Sequence, residues 1–388
     1  METFLAVIGG LIILVLLVVV HELGHAIVAL RNGVVVKEFG IGFPPAFFKR
    51  KLKNGILFTL NWIPLGGFVR LKGEYDSASK KGDYGAASYW VKTKILFAGV
   101  VMNWVVAIVL LTILAWTGMP KVLANQFQVS SDARTVVTSQ AQATVVDVAD
   151  DSAAAKAGLE KGDIITQLGS QNLKTQDAIG QYVESNMGKK IQATITRNGE
   201  SKKMSIALPA QASDDGSILG VSSQYYPEKA TMYATWSAPI VGIGTTAQLT
   251  GETFVGIGKL FASLWQSFTA NFSSDAATQR EGKQAMTYVT NSVSGPVGIV
   301  GSLFPQIGQA GVTAIVFFAA LISLSLAVMN TLPIPALDGG RWFVMTLFRV
   351  TKKELTKDRE ENIQAASVMV LLGLFILITI ADIGKIVG

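Results

Sequence analysis

Four apolar runs constrain this chain more than any other feature of its sequence. They cover about residues 4–30, 95–116, 312–329 and 365–380. A helix needs about 20 predominantly apolar residues to cross a hydrocarbon core roughly 30 Å thick, and each run is close to that length. Half of the 388 residues are hydrophobic and only 15% are charged, which excludes an ordinary soluble protein. We therefore predict a polytopic α-helical membrane protein with four transmembrane helices.

Loop charges indicate the orientation of these helices. Residues 31–94 hold 12 Lys and Arg against four Asp and Glu, and the loop at 341–361 is again basic. Under the positive-inside rule both loops are cytoplasmic, so residues 119–229 and both termini lie outside. The first run has no basic segment ahead of it and no small-residue cleavage site behind it, which favours a retained helix over a signal peptide.

A fifth apolar stretch, Trp236–Phe272, differs from the four runs. It is rich in glycine and carries Glu252 and Lys259. We interpret it as an amphipathic helix pair that lies along or beside the membrane.

The external segment has the pattern of one small β-rich domain. Asn198-Gly199 is typical of a tight hairpin turn. The stretch Ser152–Ile165 resembles the signature of a PDZ domain, and only one such copy is present. The apolar strand Ile218–Val221 would supply the edge to which a C-terminal peptide adds as an extra strand. The predicted strands are 144–148, 163–168, 190–197 and 201–208, and the predicted helices are 153–158 and 177–186.

A β-hairpin is predicted in the first cytoplasmic loop. Two apolar β-type runs, Gly55–Trp62 and Phe68–Gly73, flank Pro64-Leu65-Gly66-Gly67, which we take as the turn of a membrane-associated hairpin. The chain then divides into eight segments. They are the first transmembrane helix (1–31), the loop with the hairpin (32–93), the second helix (94–118), the extracytoplasmic PDZ-like domain (119–229), a membrane-associated amphipathic linker (230–310), the third helix with its following motif (311–340), a second cytoplasmic loop (341–364) and the fourth helix (365–388).

The motif His21-Glu22-Leu23-Gly24-His25 closes the first apolar run and carries the candidate chemistry. Residues four apart share one helix face, so both imidazoles can ligate a single zinc ion while Glu22 acts as general base on water. The alternative is a polar patch at a helix end. Three ionisable side chains in a membrane helix are costly, however, and mark a functional site by default. The motif also holds both histidines of the chain.

A zinc peptidase needs a third protein ligand and keeps a fourth position open. The chain has no cysteine and no third histidine, which leaves a carboxylate. Asp338 follows the third apolar run, in a segment where two prolines break the helix and two glycines let backbone come close. The alternatives are that Asp338 only caps the next helix or that Asp382, near the end of the fourth run, is the ligand.

The motifs together resemble the site-2 protease family of intramembrane metalloproteases, of the bacterial regulator-of-sigma-E type. The resemblance rests on HExxH in the first run, on NxxPxPxLDGG at residues 330–340 and on the external PDZ-like insertion. Residues 97–103 are similar to the GxxxN segment of the family, and residues 294–299 (SGPVGI) precede the third run as expected. Better-known members carry two PDZ domains, whereas this chain has room for one.

The resemblance implies a zinc metalloendopeptidase that cuts single-span substrates inside the membrane. It implies that Zn²⁺ is the cofactor, with His21, His25 and Asp338 as ligands and Glu22 as catalytic base and acid. Asn330 would hold the substrate backbone, and the hairpin around Gly66 and Gly67 would hold an unwound segment, unless it only covers the site. Asn103 joins them as a candidate substrate-binding residue, although close helix packing also explains Gly99 and Asn103. The implied substrates are anti-sigma factors or remnant signal peptides, cut in the inner membrane with the site open to the cytoplasm.

Other classes of function fit the sequence less well. The basic residues form no stripe with interleaved aromatics, which argues against a nucleic-acid partner. A catalytically silent PDZ-bearing scaffold would not need the complete set of catalytic residues. A zinc transporter needs polar residues along several helices, whereas here they converge at one depth. A heat-tolerant holdase would bind no zinc. The expected partners are single-span membrane proteins, the lipid bilayer and a C-terminal peptide at the PDZ-like domain.

Overall fold

The computed structural model describes residues 2–139, 142–172, 178–211, 218–226, 229–292 and 298–387. The chain divides into two compact units. The helical unit comprises Met1–Met119, Asn125–Asp132 and Ala234–Gly388, and the β-rich unit comprises Pro120–Ala124 and Ala133–Tyr233.

The secondary structure of the described residues follows the chain in this order. It comprises α1 (Glu2–Arg31), β1 (Val36–Lys51), β2 (Leu57–Leu71), α2 (Tyr89–Thr117), β3 (Met119–Pro120), β4 (Arg134–Ser139), β5 (Gln142–Val148), α3 (Ala153–Lys156), β6 (Ile164–Leu168), β7 (Gln171–Asn172), α4 (Ala178–Glu184), β8 (Lys190–Arg197), β9 (Glu200–Ala207), β10 (Val221–Tyr226), β11 (Lys229–Tyr233), α5 (Ala238–Ala270), α6 (Ala276–Ser292), a π-helical turn (Ile299–Leu303), α7 (Phe304–Gln309), α8 (Val312–Met329), α9 (Asp338–Val350) and α10 (Lys357–Val387).

Four helices of the described chain, α1, α2, α8 and α10, are long and apolar enough to cross a membrane. They coincide with the four predicted runs. Of these, α2 is packed on several sides, with α1, α5, α8 and α9 all in contact with it. Its fully buried residues recur every three or four positions and form one continuous stripe. They are Val100, Asn103, Ala107, Leu111 and Ala115.

The stretch predicted as a helix pair, Trp236–Phe272, holds one continuous 33-residue helix instead, α5, and a second helix, α6, follows it. Its glycines look like breaks in the sequence, but Gly242 serves close packing on α2. A Cβ atom at Gly242 would lie 2.9 Å from the Ile108 carbonyl oxygen. The far half of α5 exposes aromatic rings such as Trp265 and Phe268.

The sheet of the first cytoplasmic loop differs from the predicted hairpin. Both predicted runs belong to the single long strand β2, and the turn lies at residues 52–56 rather than at Pro64–Gly67. Residues 38–41 pair with 57–60 on one side and with 67–70 on the other. The prediction failed because Pro64–Gly67 bends β2 around the segment 38–41, so its two halves are separated by that segment and do not pair with each other.

The β-rich unit has a five-stranded antiparallel path, β10-β5-β6-β8-β9, with β7 beside β6. The hairpin β8–β9 turns at Asn198 and Gly199, both with positive φ, as the sequence predicted. The apolar core of the β-rich unit includes Val145, Ile165 and Ile195, which are at most 1% exposed. The apolar residues Ile218 and Leu219 precede strand β10, which begins at Val221 and is an edge strand of this path.

Candidate metal centre

Helix α1 brings His21 and His25 to one face, as their spacing predicted. Both rings are buried, at 7% and 8% exposure, and their Nε2 atoms lie 3.1 Å apart. Glu22 is half-buried, one position along the helix. The local cause is the continuous helical periodicity of α1, which aligns residues i and i+4.

Asp338 completes a cluster with the two histidines. Its Oδ2 atom lies 3.1 Å from His21 Nε2 and 3.3 Å from His25 Nε2. Among the described residues, this trio is the group of His, Asp and Glu side chains whose ligand atoms all fall within 4.8 Å of one another. Asp382, the alternative ligand, is buried elsewhere and accepts a hydrogen bond from the Gly298 N–H at 2.8 Å.

The chain between α8 and α9 fixes Asp338 by a tight return of the backbone. The Gly339 N–H donates to the Asn330 carbonyl oxygen at 2.8 Å. A Cβ atom at Gly339 or Gly340 would overlap the carbonyl groups of Thr331 or Ile334, so both positions require glycine. Asp338 is the first residue of α9 and Leu337 occupies the N-cap position, so the alternative in which Asp338 only caps this helix is wrong.

Helix α2 contacts the two imidazole rings at their Nδ1 atoms, the side away from Asp338. The Ile95 carbonyl oxygen lies 2.7 Å from His25 Nδ1, and Asn103 Nδ2 lies 3.2 Å from His21 Nδ1. Between them, a Cβ atom on Gly99 would sit 2.5 Å from His25 Nε2 and 2.6 Å from His21 Nε2. The sequence singled out Gly99 and Asn103 but left helix packing as an explanation. Their spacing of four residues, the same as that of the histidines, was the signal of a shared role.

A cavity of about 220 Å³ opens beside the cluster. Its lining includes Glu22, Asn103 and Asn330, all candidate residues from the sequence. Gly67 lies next to Glu22, since a Cβ atom there would be 3.6 Å from Glu22 Cγ. Gly66 has a φ of +78° and faces the Phe43 ring instead.

A charged network that the sequence did not reveal anchors α9 one turn beyond Asp338. Arg341 donates to Glu360 of α10 at 3.2 Å and to the backbone oxygen of Glu74. Its guanidinium also lies 5.0 Å from the centre of the Tyr84 ring. Glu360 in turn accepts from the Asp76 N–H at 2.9 Å. The network therefore joins α9, α10 and the loop after β2.

The donor set and its spacing fit zinc. Two imidazole nitrogens and one carboxylate oxygen are ligands that zinc uses in catalytic sites, with a fourth position left for water. Ligand atoms about 2.0–2.1 Å from a tetrahedral ion are about 3.3 Å apart. The three separations in this cluster, 3.1, 3.1 and 3.3 Å, agree with that figure. The Ile95 contact also leaves the Nε2 atom of His25 facing the cluster.

Comparisons with known proteins agree with this chemistry. The profile of Peptidase family M50 matches residues 9–374. A Clostridium perfringens protein whose name describes a zinc metalloprotease is 28% identical over 95% of both chains. The regulator of sigma-W protease RasP of Bacillus subtilis is 24% identical over 98% of both chains. A solved PDZ domain of an SdrC-like protein from Listeria monocytogenes is 23% identical over 21% of this chain and 85% of that one, with a TM-score of 0.19.

The chain belongs to peptidase family M50, the site-2 proteases. It is a zinc metalloendopeptidase of the inner membrane, with Zn²⁺ as cofactor, and it acts in intramembrane proteolysis. The predicted family and cofactor are thereby confirmed. Of the SGPVGI motif, residues 294–297 lie outside the described part of the chain.

Proposed function

We propose that this protein cleaves single-span membrane proteins within their transmembrane segments, with His21, His25 and Asp338 as zinc ligands and Glu22 as general base and acid. The observation that carries the proposal is the convergence of two Nε2 atoms and one Oδ2 atom within 3.3 Å, beside a cavity that Glu22 lines.

Zinc held by these residues would polarise the scissile carbonyl and would lower the pKa of a bound water, which makes that water a better nucleophile. Glu22 lines the same cavity as His21 and Asp338, which places its carboxylate on the side where the substrate and water would enter. It takes the proton from the attacking water and passes it to the leaving amine nitrogen, as a general base and then a general acid.

The substrate backbone has two candidate contacts, one in the cavity lining and one at the edge of the sheet. Asn330 donates from Nδ2 to the Leu326 carbonyl oxygen at 2.9 Å, which orients its side chain in the lining. In the sheet, residues 67–71 form one edge, and Gly67 lies beside Glu22. An unwound substrate segment that adds to this edge would present extended backbone next to the general base.

The proposed orientation rests on loop charge. The basic segments 31–94 and 341–361 face the cytoplasm, and the β-rich unit and both termini face the other side. The cleaved product is then a fragment released to the cytoplasm. We propose substrates of the anti-sigma-factor or remnant-signal-peptide type, which the name of the Bacillus subtilis relative supports for the first type.

The β-rich unit is proposed to act as a PDZ domain that binds a C-terminal peptide. Two features support this role. Strand β10 is at the edge of its sheet path, and Gly220 just before it has a φ of +75°, which suits a tight carboxylate-binding turn.

The test is cleavage of a tagged single-span substrate by the purified full-length protein in detergent. Glu22→Gln removes the base without changing side-chain size, and we expect its rate to fall about 10²–10⁴-fold. Glu252→Gln makes the same change at an exposed position of α5 and serves as the matched control. Zinc content, measured by atomic emission, should be lost in Asp338→Asn and kept in Asp382→Asn.

Each outcome has a separate meaning. Equal cleavage by the wild type and Glu22→Gln would assign the chemistry to another residue. If Asp338→Asn retained zinc and Asp382→Asn lost it, Asp382 rather than Asp338 would be the third ligand. A zinc-loaded wild type that cleaves no single-span substrate, with Glu22→Gln fully active in cells, would support a silent scaffold instead.

A further inference from the structure

Three groups of helix α2 face the two histidines. The Ile95 carbonyl, the Cα of Gly99 and the Asn103 side chain follow one another at intervals of four residues. Ile95 and Asn103 contact the Nδ1 atoms of the two rings, the atoms on the far side from the Asp338 carboxylate. One helix face therefore supplies one polar contact to each imidazole.

Ile95 presents a carbonyl oxygen to its imidazole, whereas Asn103 presents its amide nitrogen. The Asn103 side chain is fully buried, its Nδ2 atom lies 3.2 Å from His21 Nδ1, and its Oδ1 atom has no hydrogen-bond partner among the described residues. A buried amide oxygen without a partner destabilises the folded chain, because it loses its hydrogen bond to water and gains none. The backbone of Asn103 is held in place, because Ser323 Oγ donates to the Asn103 carbonyl oxygen at 2.9 Å.

Metal binding determines whether the group next to His21 Nδ1 must be a hydrogen-bond donor or an acceptor. An imidazole that binds a cation through Nε2 carries its ring hydrogen on Nδ1, so that Nδ1 becomes a donor and requires an acceptor. Rotation of the Asn103 amide by 180° brings Oδ1 to the place of Nδ2 and supplies that acceptor, since the two atoms are nearly equal in size. The oxygen then accepts from His21, and the Nδ2 atom moves to the position that the oxygen leaves.

We propose that Asn103 is a positioning residue for zinc, whose side-chain carbonyl accepts the Nδ1 hydrogen of His21 in the loaded enzyme. The Ile95 carbonyl does the same for His25, at 2.7 Å. Asn103 acts through His21 rather than on the substrate, which separates this assignment from its predicted role in substrate binding. The inference rests on the proposed zinc site, and it adds the residue that fixes the tautomer and plane of one ligand.

Two variants of similar size separate this role from helix packing. Asn103→Asp keeps an oxygen that accepts from Nδ1, whereas Asn103→Leu removes the acceptor and suits an apolar helix contact. A packing role therefore predicts that Leu is tolerated and that Asp, a charge in a buried position, is harmful. The positioning role predicts the reverse order for zinc retention.

Zinc affinity, measured by competition with a chelator on the full-length protein, is the first readout. We expect Asn103→Leu to bind zinc 10–100-fold more weakly and Asn103→Asp to stay close to the wild type. Full zinc affinity in the Leu variant, or equal loss in both variants, would overturn the proposal. The wild type in the same assay tests the zinc site itself, so a zinc-free wild type identifies failure of the site rather than of Asn103.

The second readout starts from the wild type, in which no substitution could disturb folding. Because the chain has two histidines, ¹⁵N-histidine labelling reports on His21 and His25 alone. In the zinc-loaded wild type we expect both rings to be protonated at Nδ1, with the hydrogen of His21 protected from solvent exchange. A His21 ring protonated at Nε2 would overturn the proposal. Asn103→Leu should change the His21 signal and leave His25, held by Ile95, unchanged.

Discussion

The helical unit and the β-rich unit each hold a carboxylate in a polar cluster, and the two carboxylates have different partners. Asp163 of the β-rich unit is 1% exposed, and each of its oxygens accepts a hydrogen bond from Arg197 at 2.7 Å. Its Oδ2 atom also accepts from the Glu160 N–H at 2.9 Å. Asp338 of the helical unit lies within 3.3 Å of the Nε2 atoms of two imidazole rings. A carboxylate paired with a guanidinium stabilises a fold, whereas a carboxylate that converges with two imidazole nitrogens forms a set of metal donors.

This difference predicts two separable kinds of defect. Changes around Asp338 should remove zinc and activity while the β-rich unit stays folded. Changes around Asp163 should weaken the β-rich unit while zinc binding persists.

Gly99→Ala should give the largest effect. The added methyl group would lie 2.5–2.6 Å from the Nε2 atoms of both histidines and force them apart. Displacement of reacting groups by about 1 Å costs on the order of 100-fold in rate, and we expect at least that loss of cleavage together with loss of zinc. Alanine favours helix more than glycine does, so a weaker helix cannot account for the loss.

The control for Gly99→Ala is Gly373→Ala in α10, where a Cβ atom meets nothing within 4 Å. Zinc content by atomic emission and the rate of cleavage are measured for both. Full zinc occupancy in Gly99→Ala would show that the imidazoles do not need the space that this glycine leaves.

Arg341→Ala should give an intermediate effect. It removes the contacts that join α9 to Glu360 and to the backbone of Glu74, one turn beyond the proposed ligand. We expect a roughly tenfold lower cleavage rate, because a loosened support of a ligand typically costs 10–100-fold in affinity or activity. Lys357→Ala removes an exposed pair with Glu361, 3.6 Å long, and should leave the rate unchanged. Equal rates in the two variants would mean that the network only stabilises the loop.

Asp163→Asn should have the smallest effect on activity. We expect its effect in the pH dependence of the stability of the β-rich unit instead. Hydrogen bonds from Arg197 hold the pKa of Asp163 below its ordinary value. Its contribution is therefore complete above the unfolded-state pKa, about 3.9, and declines as the pH falls through the lower folded-state value. Protection of strands β6 and β8 from hydrogen exchange in the full-length protein should fall with acid, after correction for intrinsic rates.

Asp163→Asn supplies the comparison for that measurement. It should lower protection at neutral pH and flatten the dependence on pH, with zinc content unchanged. Protection that falls equally with acid in both proteins would assign the acid sensitivity to other groups.

The sequence predicts the elements whose signal is local. The run Val312–Met329 has the same bounds in the structure, and so does the strand Lys190–Arg197, because length, apolar content and alternation are properties of one segment. The spacing of His21 and His25 is local in the same sense. The link to Asp338 needed chemical reasoning, since a zinc peptidase requires a third ligand and few carboxylates were candidates.

Features that depend on distant partners were missed. The sheet of the first loop was predicted as a simple hairpin because nothing in residues 55–73 reveals that 38–41 lies between its two halves. Glycines in α5 looked like breaks, yet Gly242 allows contact with α2. Arg341 and Glu360 carry no motif, and only the folded chain brings them together.

The separation of the two parts of the metal centre along the chain has a consequence for biosynthesis. His21 and Asp338 lie 317 residues apart. A nascent chain therefore inserts both histidines into the membrane before the ribosome has made Asp338. With Asp338 as the proposed third ligand, the metal site stays incomplete until synthesis has passed that residue, and the capacity to cut arises only then.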